Sequence, residues 1–206
     1  MSRGILTMVT STMLQKLSEL FSAQRAPAGY RPGVTLGHLQ RNLGLASFER
    51  VTPTLAQVCL GDGGLQLEIT ERTESQLLMH LVMTEFVLRV PASREGMARF
   101  ELHHGGAVRR SGIRCRQRAG DAGLLAELQA GLQADNSLHQ ALMPLDFKRL
   151  RIDLQERQWC VRLEHMGGSE VVNRMPAFRR YIALSGEQRN HLLAALAGLQ
   201  RVLLIL

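Results

Sequence analysis

Arg149-Leu150-Arg151-Ile152-Asp153-Leu154-Gln155-Glu156-Arg157-Gln158-Trp159-Cys160-Val161-Arg162-Leu163-Glu164 alternates apolar and polar side chains on either side of a short polar break. Leu150, Ile152 and Leu154 share one parity, and Trp159, Val161 and Leu163 share another; a period of two is that of a half-buried strand. With residues 155–158 as the connection, Leu154 meets Trp159, Ile152 meets Val161 and Leu150 meets Leu163, so one side of the pair is wholly apolar. The other side is charged. There Arg149 opposes Glu164 and Arg151 opposes Arg162, a like-charge pair that costs stability unless acids on the diagonals, Asp153 and Glu164, or a bound anion relieve it. Exposed ion pairs are worth about 0–1 kcal/mol, so the simple expectation is a solvated, salt-laced sheet face and the sharper one an anion site.

Moving towards the C-terminus, Gly167-Gly168 signals a turn, residues 169–174 read as extended, Pro176 interrupts the ladder, and residues 178–184 resume as an edge strand or a strand after a kink. Ser185 followed by Gln188 fits a capping box. Beyond it Leu192, Leu193, Leu196, Leu199, Val202 and Leu203 recur at helical spacing on one broad stripe. Such a helix must be buried, and with Gln200 and Arg201 interrupting it the run is too short for a membrane span. The spacing predicts a helix tucked into a curved sheet or set against a partner.

Upstream, Leu65, Leu67 and Ile69 alternate after the turn Gly61-Asp62-Gly63-Gly64, and residues 100–104 alternate before Gly105-Gly106. Residues 77–90 are apolar on both sides. Their Leu and Met content also suits a helix, but Val82, Thr84, Phe86, Val87 and Val90, with Pro91 as terminator, favour a long central strand. Asp121 caps a helix carrying Leu124, Leu125, Leu128 and Leu132, and a shorter turn after Asn136-Ser137 carries Leu138 and Leu142. Residues 11–24 form an amphipathic helix through Leu14, Leu17, Leu20 and Phe21, joined by a Pro/Gly-rich linker, residues 25–33. The expected fold is α+β: a curved, mainly antiparallel sheet of about six to eight strands, packed against the C-terminal helix, with a peripheral N-terminal helix. Residues 1–206 are read as one domain, comprising the N-terminal helix and linker (1–33) and the α+β body (34–206).

The formal charge is +7, from 25 basic and 18 acidic residues. Lys16 and Lys148 are the only lysines, and a composition so rich in Arg, Ala, Leu and Gly also reflects coding bias, so net charge alone argues weakly for an anionic partner. Arg109, Arg110, Arg114, Arg116 and Arg118 form the densest basic cluster. Reading Ser111-Gly112 as a bulge places Arg109, Arg114, Arg116 and Arg118 on one face, with Val108, Ile113 and Cys115 on the other. Guanidiniums in such a row suit carboxylate or phosphate groups. The cluster lacks the aromatic platform of single-strand binders, which disfavours nucleic acid.

Cys59, Cys115 and Cys160 are odd in number and widely spaced, which predicts reduced thiols and the cytoplasm. The N-terminus has one early basic residue, Arg3, and no clear small-residue cleavage pattern, so no secretory leader is expected. No transmembrane segment is expected either. A G-x-S-x-G elbow, a Walker loop, a G-x-G-x-x-G fingerprint and a paired C-x-x-C are all absent. His103 and His104 point to opposite sides of a strand and cannot simply chelate one ion. His80 reads as a hydrogen-bonded core histidine; as an acid or base it needs a carboxylate such as Glu68 or Glu85. Glu68, Glu71 and Glu74 do not share one parity. No cofactor and no metal site are implied.

Pro144-Leu145-Asp146-Phe147, the tryptophan strand, Gly167-Gly168-Ser169-Glu170-Val171-Val172 and Arg174-Met175-Pro176-Ala177-Phe178-Arg179-Arg180-Tyr181 resemble a bacterial family of proteins of unknown function, across roughly the C-terminal two-thirds of the chain. The resemblance implies a small stand-alone bacterial protein and assigns no activity. In that stretch Arg174, Arg179 and Arg180 flank the proline beside the Gly-Gly turn, where backbone N–H groups and guanidiniums can converge on an anion; Arg180 alternatively serves a structural ion pair. The leading expectation is a non-enzymatic binding or accessory module for an anionic small molecule or acidic partner, using Arg109, Arg114, Arg116, Arg118, Arg174 and Arg179. One alternative is a helix-grip-like carrier of an apolar ligand between sheet and C-terminal helix, and another is an enzyme centred on His80. The apolar C-terminal helix or the N-terminal arm could also join copies of the chain into a homo-oligomer.

Overall fold

The structure, a computed structural model, describes residues 30–45, 47–60, 64–75, 79–106, 110–174 and 176–206, with the side chains of Arg174 and Ala177 left aside. Its elements run α1 (Val34–Leu43), β1 (Phe48–Thr52), β2 (Leu55–Leu60), β3 (Leu65–Ser75), β4 (Met79–Gly105), β5 (Gly112–Ala119), α2 (Ala122–Ala134), α3 (Asn136–Leu142), β6 (Phe147–Arg174), β7 (Ala177–Ile182) and α4 (Gly186–Ile205). Every described ladder is antiparallel, and the sheet curls into a half-barrel. The expected α+β class, curved sheet and packed C-terminal helix are all present. The helix expected over residues 11–24 lies outside the described residues, as does the turn over residues 61–63.

β6 carries the alternating run from Arg149 to Glu164. Arg149 and Glu164 form an ion pair at 3.3 Å, yet fifteen residues of straight strand would separate them by about 50 Å. The run therefore doubles back between them, and Glu156, at φ 53°, sits at the turn. β4 stays antiparallel to β6 on both sides of that turn, from Met79 opposite Asn173 to Pro91 opposite Gln158, and from Gly96 opposite Glu156 to Leu102 opposite Leu150. It thus passes round the tip and flanks both halves. Val90, Trp159, Leu154 and Ala98 consequently share one buried layer, followed by Leu88, Val161, Ile152 and Phe100, then Phe86, Leu163, Leu150 and Leu102. Alternation over twelve positions is what commits the whole side to the core.

α4 fills the concave side. Ser185 Oγ accepts from the Gln188 N–H and Gln188 Oε1 accepts from the Ser185 N–H, the capping box read from the sequence. Leu192, Leu196, Leu199 and Leu203 are fully buried against the sheet. Gly198 lets α3 approach closely: a Cβ there would lie 2.9 Å from Leu138 Cβ. At the far end Ser93 Oγ and Arg94 Nε both donate to the Leu206 carbonyl, tying the crossing segment of β4 to the end of the helix.

Several expectations need correction. Pro91 does not end the central strand; β4 continues to Gly105 and includes residues 100–104, which the alternation suggested as a strand of their own. Pro91 pairs with Gln158 as the last position before the ladder shifts between Pro91 and Gly96, and prolines in sheets are confined to such bulges and edges. Gly167-Gly168 likewise is not a turn between strands: β6 runs through it to Arg174, and the β4–β6 register shifts there, between Val82 and Thr84. Ser111-Gly112 is not a bulge within a strand: β5 begins at Gly112, and the Ser111 N–H donates to the Gly105 carbonyl to close the β4–β5 connection. α1, β1 and β2 were not anticipated. Among the described residues no helix is long and apolar enough to cross a membrane.

Candidate functional site

Among the described residues β5 pairs with β4 alone, with Arg114 opposite His103, Arg116 opposite Glu101 and Cys115 opposite Leu102. Its alternation sorts two surfaces. Ile113 and Cys115 pack on the core, and burial pushes the Cys115 thiol up to about 11. Arg114, Arg116 and Arg118 stand exposed on the other side. Arg118 is engaged by Glu101 at 2.7 Å, and that hydrogen bond, against some desolvation, holds the Glu101 carboxyl below its usual range. Among the described residues, Arg114 and Arg116 make no ion pair. Beside the strand, Gln129 and Leu132 of α2 and Leu142 of α3 line a cleft of about 310 Å³ together with Ile113, Arg114 and Cys115.

The remaining expected anion residues are placed elsewhere or not at all. Arg109 lies outside the described residues, as does the Arg174 side chain. Arg110, its sequence neighbour, spans the carbonyls of Met143 and Leu145 and the Asp146 carboxylate, which makes it a loop tie. Arg179 on β7 grips Glu170 with two hydrogen bonds of 2.8 Å. Since β7 pairs with residues 169–174, which pair with residues 79–82, while β5 pairs with residues 99–105, Arg179 and the β5 row lie at opposite ends of β4.

A second polar cluster sits under α1. Gly33 offers no capping side chain, and the Glu71 carboxylate does the work instead, accepting from the Gly33 N–H at 3.0 Å, the Leu36 N–H at 2.8 Å and the Tyr30 hydroxyl at 2.9 Å. Glu170 is buried and also accepts from Thr35 Oγ1. Burial works to raise its carboxyl, but the hydrogen bonds from Arg179 and Thr35 and the Arg179 charge outweigh that and hold it below the usual range. His80 is buried, with Nδ1 2.8 Å from Ser75 Oγ. The carboxylates proposed for it are committed elsewhere, Glu68 to Arg89 and Glu85 to Arg72 and Arg162. His104 stacks on Phe147, its Nε2 meets the Leu142 carbonyl, and burial lowers its pKa.

The outward side of the doubled strands carries the other arginines. Glu85, Glu164 and Asp153 are nearly inaccessible, and each holds guanidiniums above it: Arg72 and Arg162 on Glu85, Arg72 and Arg149 on Glu164, Arg99 and Arg151 on Asp153. The like-charge pair Arg151 and Arg162 is thus relieved by acids. Among the described residues no group of three or more His, Cys, Asp or Glu side chains could hold a metal ion.

Sequence reasoning missed Glu71 and Glu170. A signal for the first existed: α1 starts after Pro32-Gly33 with no Ser, Thr, Asp or Asn to cap it, so a carboxylate from another element had to serve.

No curated protein and no solved structure matches the chain. One family model does, over residues 41–203, from the end of α1 through nearly all of α4. The chain belongs to that family, described as "Protein of unknown function (DUF3156)".

Proposed function

We propose that this protein is a non-enzymatic binding or accessory module that receives an anionic small molecule or an acidic partner on the β5 arginine row. The observation that carries the reading is the contrast in pairing. Arginines of the doubled-strand face have carboxylates of their own, whereas Arg114 and Arg116 are exposed beside a strand whose one opposing acid, Glu101, is already taken by Arg118. A guanidinium without an internal partner keeps its forked donors for a carboxylate or phosphate from outside. Arg109 adjoins the row in sequence and enters the proposal on that ground alone, as does Arg174 a few residues after Gly167-Gly168; Arg179 is already held by Glu170 and has little to give an outside anion. The cytoplasm suits the three free thiols.

Dense packing of Trp159, Phe86, Phe100 and the α4 leucines on the concave side favours this reading over an apolar-ligand carrier. The test is calorimetric titration with citrate and with a short poly-aspartate peptide. Binding should weaken by about tenfold or more, about 1.4 kcal/mol, in Arg114→Gln/Arg116→Gln with an unchanged melting temperature. Equal affinity in wild type and variant would remove the proposal.

A further inference from the structure

We infer that the acidic partner binds as an extended segment, added as a strand to the edge of β5 away from β4; this rests on the reading that the β5 arginines receive an anionic partner. Among the described residues β5 pairs with β4 alone, and a strand paired on one side leaves every second residue's N–H and C=O facing outward. The Cys115 carbonyl accepts a long 3.5 Å hydrogen bond from the Gln129 side chain. A backbone donor on an incoming strand would replace that contact with a shorter one. The cleft along this edge, about 310 Å³, has Ile113, Leu132 and Leu142 in its lining, so it can take apolar side chains from one side of an added strand. Arg114, which also borders the cleft, Arg116 and Arg118 repeat every second residue, the spacing at which an extended chain presents its own alternate side chains.

The matching segment therefore alternates acidic and apolar residues: carboxylates meet guanidiniums across the new ladder, and apolar side chains enter the cleft. Charge decides against a second copy of the chain as occupant. Pairing β5 with itself would set its arginines against one another, and like charges directly opposite are destabilising. Nucleic acid lacks both the strand-edge donors and, on β5, any aromatic side chain to stack upon.

The experiment is calorimetry on the full chain with peptides of one composition: Asp and Val alternating, Asp and Val in two blocks, and the alternating peptide N-methylated on every Asp or on every Val. The alternating peptide should bind, and the block peptide about tenfold or more weaker. One N-methylated peptide should lose binding and the other keep it, because only alternate N–H groups face β5. Arg114→Gln/Arg116→Gln should lose the alternating peptide, while Arg157→Gln at the β6 turn keeps it. Should the double variant unfold, the N-methylated pair in wild type still decides. Equal binding of alternating, block and both methylated peptides would overturn the strand mode while leaving the anionic reading standing. Arginine-dependent binding of citrate with no peptide binding would do the same, as would preference for oligo-dT over every peptide or an arginine-dependent dimer in sedimentation. Failure of peptides, oligo-dT and citrate alike would take both down.

Discussion

Two arginine-rich surfaces of one sheet have opposite electrostatic outcomes. On the outward side of β4 and β6, Arg72, Arg149, Arg151 and Arg162 crowd together, but Glu85, Glu164 and Asp153 are buried beneath them and each acid serves more than one guanidinium. On β5 the acid supply is one residue, Glu101, and Arg118 takes it. Counting arginines would rank the first surface above the second. Counting the carboxylates within reach reverses the order, because a satisfied guanidinium has little to gain from a ligand that must compete with an internal acid.

The largest expected effect breaks the first surface. Replacing Glu85 and Glu164 together by Ala strips the acids from beneath the doubled strands and should lower stability by about 2–4 kcal/mol, measured as a shift in urea midpoint. A loss under about 0.5 kcal/mol would mean that the lattice is decorative.

Acid is the next largest perturbation. His165 is fully buried; its Nδ1 accepts from the Gly167 N–H, leaving Nε2 without a partner among the described residues, and desolvation lowers its pKa. Below about pH 6.5 the unfolded chain takes up a proton that the folded chain resists, so stability is full above that pH and falls as pH drops. A second decline follows at lower pH through Glu101, Glu170 and Asp135, whose carboxyls are depressed when folded. Asp135, set at about 2 chiefly by the Leu138 N–H and Ser137 hydroxyl, is the last to titrate. Urea midpoints from about pH 7 to 5 should fall in wild type and fall less steeply in His165→Leu, where His104, also depressed by burial, still contributes; equal slopes would assign the acid sensitivity elsewhere.

Smaller changes sharpen the second surface. Glu101→Gln frees Arg118 to join Arg114 and Arg116 and should raise citrate affinity about two- to fivefold, the scale of an exposed ion pair. An unchanged affinity would detach Arg118 from the row. Smallest of all, Arg114→Gln or Arg116→Gln should move stability by no more than about 0.5 kcal/mol, since neither side chain makes an ion pair among the described residues. A larger drop in either would reveal a structural role and weaken the binding assignment.

The layers of the core were legible because alternation is local: Leu150, Ile152, Leu154, Trp159, Val161 and Leu163 declare their buried side in the chain itself. So did the Ser185 and Asp121 caps, whose acceptors lie within three residues of their donors. α1 was missed because its cap, Glu71, stands 35 residues from Leu36 in the chain. The run of β4 past Pro91 was hidden for a related reason: whether a proline ends a strand depends on the partner's register, and that partner is β6. For the candidate site, the parity of Arg114, Arg116 and Arg118 could be read directly. Which of them is neutralised could not, since that is decided by Glu101 across the β4–β5 ladder.

The most direct test of the central claim is a ¹H–¹⁵N titration of the labelled protein with citrate, following backbone amides and arginine Nε–H groups together. Shifts concentrated on β5, with the Arg114 and Arg116 Nε–H signals moving most, are the predicted result. Shifts centred on Arg149, Arg151 and Arg162, with β5 silent, would contradict it and return the anion site to the doubled strands.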